Sequence, residues 1–240
     1  IYLWHCRLGH INETRISTLL KNGYLDRFDF CSYDVCPSCL LGKMPKKPFK
    51  GKGERATEVL GLIHTDVCRP MSTQARGGYE YFITFTDDKS RYGYVYLMKH
   101  KSEAFERFKK FRQEVEKQTG QSIKILRSDR GGEYLSTEFQ DHLKVNRNLA
   151  QWSPPGTPQL NGVSERRNRI LLDMVRSIMS RTDLPISFWG YALESAMFIL
   201  NRVPSKSVGK TPFEIFKGRK PNFSFLKICC CEAFVKCLDS

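Results

Sequence analysis

Apolar residues along the chain follow two different periods, separated by segments rich in Gly, Pro and charged residues. Alternating or continuous apolar runs, many of them aromatic or β-branched, predict strands at 59–67, 79–86 and 91–98. Asp87 and Asp88 separate the second run from the third, as in a hairpin turn, where such acids usually accept hydrogen bonds from backbone N–H groups. Two shorter runs, before Asp129 and at 149–152, predict two more strands.

Apolar residues spaced by three or four positions predict helices among and after these strands. One helix is predicted from an N-cap at Ser102 to Gly120, and a short one around Phe139 and Leu143. A third should begin near Gly162, and a fourth should end before Pro204. Three strands followed by alternating helices and strands predict an α/β fold, in which helices flank a mixed sheet.

Three acidic residues lie where these elements begin or end. Asp66 is in the first predicted strand, Asp129 ends the fourth, and Glu165 is in the first turn of the helix that begins near Gly162. An acid in a first turn is more often only a favourable partner of the helix dipole. However, these three carboxylates can converge, and hard oxygen ligands suit two Mg²⁺ ions about 3.5 to 4 Å apart. They therefore predict phosphoryl transfer on a nucleic acid without a protein nucleophile.

The first forty residues carry a pattern typical of a structural zinc site. The ligands would be His5, His10, Cys36 and Cys39, in a His-x4-His and Cys-x2-Cys arrangement. Cys6 and Cys31 remain alternative ligands, and either histidine taken alone is compatible with an ordinary buried position. A helical pattern from Asn12 to Gly23 offers only a small core, so this segment needs a staple. We expect metal chelation to unfold 1–42 and to leave the rest largely intact.

The charge of the chain points to a polyanionic partner. Lys and Arg number 39 against 25 Asp and Glu, a formal net charge of +14. A membrane surface is the weaker choice, because the sequence shows no long basic amphipathic helix and no apolar run of transmembrane length. Residues 43–57 are rich in Lys, Pro and Gly and predict a linker. Its Lys46, Lys47 and Lys50 either stay solvated or follow a phosphate backbone.

The nine cysteines, an odd number, predict reduced thiols and a metal site rather than disulfides.

Three motifs together resemble one known family. They are His64-Thr-Asp66, Arg127-Ser-Asp129-Arg-Gly-Gly-Glu-Tyr and Pro155-Gly-Thr-Pro-Gln-Leu-Asn-Gly-Val-Ser-Glu165-Arg, with 35 residues between Asp129 and Glu165. The chain resembles the integrase of copia-type LTR retrotransposons over nearly its whole length. The resemblance implies a ribonuclease H-like core at 58–205 with a five-stranded mixed sheet. It also implies a His-His-Cys-Cys pre-integrase module at 1–42 and the start of a truncated basic C-terminal segment at 206–240.

The resemblance also implies an activity, in which a retroelement DNA end is trimmed and then joined to host DNA. Asp66 would be shared by two Mg²⁺ or Mn²⁺ ions, and Asp129 and Glu165 would each complete one. The expected partners are the retroelement ends, the target DNA and further copies of the chain on that DNA. The expected location is the nucleus, after a cytoplasmic virus-like particle. The expected DNA contacts are the three linker lysines together with Gln159, Asn161, Arg166 and Arg169.

Two other functions remain open from the sequence. One is a zinc-containing nucleic-acid-binding remnant that has lost catalysis, although the intact acidic triad argues against it. The other is a ribonuclease H-type hydrolase, because cutting RNA and joining DNA use the same carboxylate geometry. Glu133, four residues after Asp129, is interpreted as an acid with local hydrogen bonds only. The start at Ile1 rather than Met is expected of a piece of a polyprotein.

Overall fold

A computed structural model gives the fold of the chain. It describes residues 1–26, 28, 35–42, 55–68, 70–153, 161–205 and 208–229. Of the residues predicted to contact DNA, Lys46, Lys47, Lys50 and Gln159 lie outside the described residues. Among the described residues, no helix combines the length and the apolar character needed to cross a membrane.

A five-stranded sheet with the order β3-β2-β1-β4-β5 forms the centre of the molecule. The strands are β1 (Leu62–Cys68), β2 (Tyr81–Asp87), β3 (Gly93–Met98), β4 (Ile125–Ser128) and β5 (Leu149–Trp152). The first three form an antiparallel meander, whereas β4 joins β1 and β5 joins β4 in parallel. The predicted mixed sheet is thereby confirmed. Asp66 pairs with Thr84 on β2, which pairs with Val95 on β3, so these three side chains share one face of the sheet.

Helices flank the sheet and form the N-terminal segment. They are α1 (Tyr2–Arg7), α2 (Glu13–Lys21), α3 (Pro37–Gly42), α4 (Ala104–Thr119), α5 (Gly132–Leu135), α6 (Thr137–Val145), α7 (Gly162–Met179), α8 (Trp189–Arg202) and α9 (Pro212–Lys217). The predicted N-cap at Ser102 is wrong, because Lys101–Glu103 form a 3-10 turn and the side chain of Glu103 accepts from the His100 backbone. Gly120 ends α4 with a φ of 67°, as predicted.

Each face of the sheet carries its own hydrophobic core. On one face, α4 and α6 cover the sheet, with Phe85, Phe108 and Phe139 fully buried. Phe85 stacks on Phe111 with ring centroids 4.3 Å apart. The other face is covered by α7 and α8, and Trp189 is its largest fully buried side chain. The aromatic residues of the meander therefore contribute mainly to the core, as their alternation predicts.

The N-terminal segment packs onto α7 and α8. Leu8, Ile16 and Leu19 are fully buried in the same cluster as residues of both helices. Gly42 lies so close to α7 that a Cβ there would be 2.5 Å from the Ser177 hydroxyl. The Arg176 guanidinium also donates to the Gly42 carbonyl at 2.9 Å. This segment and the core therefore share one hydrophobic cluster.

The β2–β3 turn is fixed by two buried acids. Asp87 accepts from the backbone N–H groups of Leu60 and Ser90, and Asp88 accepts from that of Ala56, as predicted for turn acids. Asp88 also pairs with His64 at 2.9 Å and with Arg91 at 3.0 Å. The sequence pattern did not indicate this second role. Asp88 therefore connects the turn to His64 on β1, and His64 is two residues before Asp66.

Candidate catalytic and metal-binding sites

Three neighbouring elements present the predicted acidic residues. Asp66 is on β1, Asp129 follows the last residue of β4, and Glu165 lies in the first turn of α7. Asp66 is partly buried, whereas Asp129 and Glu165 are exposed. Because β1 and β4 are parallel neighbours, their carboxyl ends meet at one edge of the sheet, and α7 contacts β1 there.

The charges of these residues act on one another. The pKa of Asp66 is raised to about 7, first by burial and then by the negative charges of Asp129 and Glu165. Glu133 adds to the same effect. Glu133 was interpreted from the sequence as a purely local acid, but its charge reaches Asp66. The structure therefore brings Asp129, Glu165 and a third acid, Glu133, within electrostatic range of Asp66.

Asn168 holds the Asp66 carboxylate in place. Its Nδ2 donates to Asp66 Oδ2 at 2.9 Å, and its Oδ1 accepts from the Thr84 hydroxyl at 2.8 Å. Asn168 is buried and follows Glu165 by three residues, so both side chains lie on one side of α7. Asn168 was not predicted from the sequence, although its helical spacing from Glu165 was a signal that could have found it.

The donor set suits a hard divalent cation. Carboxylate oxygens are the ligands that Mg²⁺ prefers, and a cation among them would offset the repulsion that raises the Asp66 pKa. The acidic side chains lie farther apart than the N-terminal histidines and cysteines. Among the described residues, His5, His10, Cys36 and Cys39 form the one group of three or more His, Cys, Asp or Glu side chains close enough together to hold an ion.

The predicted zinc ligands meet at a single point. The ligand atoms of His5, His10, Cys36 and Cys39 all lie within 4.8 Å of one another. Cys36 Sγ is 3.4 Å from His10 Nδ1, Cys39 Sγ is 3.3 Å from His5 Nε2, and the two histidine nitrogens are 3.1 Å apart. Zn–N and Zn–S bonds of about 2.0 and 2.3 Å give tetrahedral edges of roughly 3.3 to 3.8 Å. The four side chains therefore fit tetrahedral Zn²⁺.

Neighbouring groups orient these ligands. His5 Nδ1 lies 2.7 Å from the Ile11 carbonyl, which fixes the proton on Nδ1 and leaves Nε2 for the metal. His10 follows Gly9, and both residues have a φ near +60°. A Cβ on Gly9 would lie 2.7 Å from the Met174 side chain of α7, so only glycine fits this contact without a shift. Cys6 is buried beside the site, but it is not among the four gathered ligands.

The described residues predicted to contact DNA differ in their accessibility. Arg166 is exposed and Arg169 is partly buried on α7, so their contact with DNA stays a prediction. Asn161 precedes α7 as predicted, but its side chain makes no capping hydrogen bond. It is also buried, and its Oδ1 has no partner among the described residues, so its contact with DNA stays a prediction.

Arg167, between these residues, has a different role. It is buried, and burial lowers the pKa of its guanidinium to about 9. Arg167 donates to the Arg91 carbonyl at 2.8 Å and to the Asn201 side chain at 2.9 Å. Asn201 in turn bonds both backbone polar groups of Gly93. Arg167 therefore joins α7, α8 and the start of β3, and it is not a surface contact.

Comparison with known proteins places this geometry in a class. The family model of the integrase core domain matches residues 56–158. The fold resembles that of the simian T-cell lymphotropic virus intasome in complex with PP2A regulatory subunit B56 gamma. There the TM-score is 0.58 at 18% identity, over 85% of this chain and 69% of that chain. It also resembles the HTLV-2 integrase catalytic core domain in complex with magnesium, with a TM-score of 0.52 at 20% identity, over 68% of this chain and 99% of that one. The chain therefore has the integrase core fold.

Sequence relatives define the family more closely. The family model of the GAG-pre-integrase domain matches residues 1–44. The chain is 40% identical, over 97% of its length, to the retrovirus-related Pol polyprotein from transposon TNT 1-94 of Nicotiana tabacum. It is 30% identical, over 96% of its length, to the corresponding polyprotein from transposon RE2 of Arabidopsis thaliana. The chain thus belongs to the copia-type retrotransposon Pol polyproteins and corresponds to their integrase region. It spans 18% and 16% of these two relatives.

Proposed function

We propose that this chain is a metal-dependent polynucleotidyl transferase that trims a retroelement DNA end and joins it to a target strand. The raised pKa of Asp66, caused by burial and by the charges of Asp129 and Glu165, is the observation that carries the proposal. Structural ion pairs do not explain such a cluster, since none of the three carboxylates forms a salt bridge among the described residues. A partly buried acid whose pKa is strongly raised beside other acids is typical of a catalytic site.

In this proposal Asp66, Asp129 and Glu165 would hold two Mg²⁺ ions, with Asp66 as the ligand common to both. Bound there, such ions supply activation of the attacking oxygen and stabilisation of the leaving oxygen. Asn168 keeps the shared carboxylate in one orientation through its 2.9 Å hydrogen bond. The attacking group is water in the trimming step and the new 3′ hydroxyl in the joining step, so no protein nucleophile is needed.

The remaining parts of the proposal concern binding. One structural Zn²⁺ on His5, His10, Cys36 and Cys39 would stabilise the N-terminal module against α7. DNA would be held mainly by electrostatic attraction to the basic surface, with Arg166 and Arg169 beside the acids. The relevant DNA is the retroelement end and the target, and we expect several copies of the chain to assemble on it. Its site of action would be the nucleus, after a stage in a cytoplasmic particle.

A strand-transfer assay tests this function. The chain is incubated with a matching terminal-repeat oligonucleotide and a target duplex in Mg²⁺ or Mn²⁺. Asp66→Asn, Asp129→Asn and Glu165→Gln should each abolish cleavage and joining, with losses that are not additive because the ligands act as one unit. Retained binding of DNA by the inactive variants would show that they are folded.

Asp141→Asn is the matched control, since Asp141 is exposed on α6 and, within the described residues, pairs only with Lys144. Asp88→Asn does not serve, because Asp88 is buried in the turn network. If Glu165→Gln joins DNA as well as the wild type, the assignment of the third ligand is wrong. Cleavage of an RNA–DNA hybrid, without any joining of DNA, would instead support the ribonuclease H alternative.

A further inference from the structure

Aromatic and basic side chains alternate on one surface formed by α8, α9 and the segment that follows. We name this surface the C-terminal face. Its exposed or partly buried members are Phe198, Arg202, Arg219, Phe225 and Lys227, and Arg202 and Arg219 contact the buried Phe213. It lies on the β3 side of the sheet, where α8 contacts β3, whereas the acids lie on β1, β4 and the start of α7.

The rings and cations of this surface form a continuous series of contacts. The Arg202 guanidinium lies over Phe198 at 3.3 Å from the ring centroid and is 4.7 Å from that of Phe213. Arg219 lies 5.8 Å from the Phe213 centroid. Phe225 meets Phe198 edge to face, with centroids 6.0 Å apart. These contacts hold Arg202 in a defined position over the aromatic rings.

Among the described residues, the cations of the C-terminal face, which are Arg202, Arg219 and Lys227, have no acidic partner in a salt bridge. Arg202 donates to the Phe198 carbonyl at 3.0 Å. Arg219 and Lys227 are exposed. A surface that merely stays solvated would more commonly mix both signs of charge.

Phe225 exposes an aromatic ring among these cations. Its side chain is 54% exposed although Leu226, next to it, is buried. Beside it lies an open cavity of about 350 Å³, lined by Arg7, Phe198 and Lys227 among others, with Glu194 as its acidic member. The ring of Phe225 is therefore accessible to a ligand.

We propose that the C-terminal face binds single-stranded nucleic acid, in addition to any DNA held at the acidic site. An unpaired base would stack on the exposed ring of Phe225. The flanking phosphates would then interact with Arg202, Arg219 and Lys227. Alternating rings and cations are the pattern that such recognition requires, because every base offers a π-face and every nucleotide a phosphate. A duplex keeps its bases stacked inside and cannot use the ring in this way.

Fluorescence anisotropy with labelled oligonucleotides tests the proposal. The full chain, loaded with zinc, is titrated with a single-stranded oligonucleotide and with a duplex of equal length. Phe225→Ala should weaken single-strand binding about five-fold or more and leave duplex binding nearly unchanged. Arg219→Ala and Lys227→Ala should lower the salt dependence, by about 0.7 in slope for each lost phosphate contact. Deoxyribo- and ribo-oligonucleotides are compared to identify which of the two binds more tightly.

Matched variants keep the test falsifiable. Phe225→Trp should restore the affinity, and its emission should be quenched by the single strand beyond the change seen in the wild type. Lys144→Ala removes an exposed lysine on α6 and should have no effect. The proposal is overturned if Phe225→Ala binds single strands within two-fold of the wild type. It is equally overturned if Phe225→Ala weakens duplex binding as much, or if heparin or an acidic peptide competes as well as the oligonucleotide. The assay needs no catalysis, so its failure is distinct from a failure of the proposed transferase activity.

Discussion

Removing the charge of Asp66 should stabilise the chain in the absence of Mg²⁺, even though it abolishes the proposed activity. The pKa of Asp66 rises from its ordinary 3.8 to about 7, through burial and through the charges of Asp129 and Glu165. In the unfolded chain the residue ionises near its ordinary pKa. At pH 8 the folded chain therefore carries an unfavourable carboxylate that the unfolded chain tolerates in water.

The magnitude follows from the shift. About 3 pKa units at 1.36 kcal/mol each give roughly 4 kcal/mol, and partial exposure of Asp66 lowers the expected value to about 2 to 4 kcal/mol. Because folding raises the pKa of Asp66, its contribution to the free energy of unfolding depends on pH. This contribution is complete below pH 3.8 and is lost as the pH rises through 7. Asn in place of Asp66 stays neutral and still accepts from Asn168.

The measurement is thermal or urea unfolding of wild type and Asp66→Asn, both loaded with zinc and free of Mg²⁺, at pH 5 and pH 8. The advantage of the variant should grow by about 1.3 to 2.7 kcal/mol between these values, the equivalent of roughly 1 to 2 pKa units. At about 2 to 4 °C per kcal/mol, this corresponds to a difference of roughly 3 to 11 °C in Tm. Asp141→Asn serves as the control for the loss of an exposed charge.

Added Mg²⁺ should reverse the order. At pH 8 it should stabilise the wild type more than Asp66→Asn, because only the wild type offers the complete set of carboxylates. The reasoning is refuted if Asp66→Asn is the less stable protein at pH 8 without Mg²⁺. An advantage of the same size at both pH values would refute it as well.

Three further predictions concern the residues around the two sites. Asp88→Asn should cost about 2 to 3 kcal/mol at pH 7, measured by urea unfolding. Although burial acts to raise it, the pKa of Asp88 is lowered to about 2 by hydrogen bonds from His64 and the Ala56 amide, so the wild-type advantage should fade as the pH falls from 3.8 toward 2. Asn168→Ala should weaken Mg²⁺ binding in calorimetry and raise the pH at which Mg²⁺ binds, because the hydrogen bond from Asn168 favours the ionised form of Asp66 in the wild type. Unchanged Mg²⁺ binding would contradict a positioning role for Asn168. Zinc chelation should reduce hydrogen-exchange protection of α7 and α8 as well as of 1–42, because they share one hydrophobic cluster; loss confined to 1–42 would favour independent modules, as expected from the sequence alone.

Much of the fold could be predicted because local sequence patterns specify most of the helices and strands. The alternation in 79–98 specifies two strands, and the acids between them occupy the turn. The short helix α9 was missed, although Thr211 caps it, Pro212 begins it and Gly218 ends it with a φ of 69°. Its basic, turn-rich composition concealed those end signals. At Ser102 a cap was predicted where the structure has none. Ser102 is a residue type that often caps helices, but here it lies inside the 3-10 turn Lys101–Glu103.

The sequence by itself determined the residue types of the two sites, since metal chemistry restricts them. Carboxylates at the ends of predicted elements and histidines and cysteines at fixed spacings are visible without a structure. Only the tertiary structure decided what surrounds them. The pKa of Asp66 is raised to about 7 because folding buries the residue near Asp129 and Glu165, which are far from it in the sequence. Arg167 is buried because α7 packs against α8 and the start of β3. Such properties depend on contacts between residues far apart in the chain, and no local pattern encodes them.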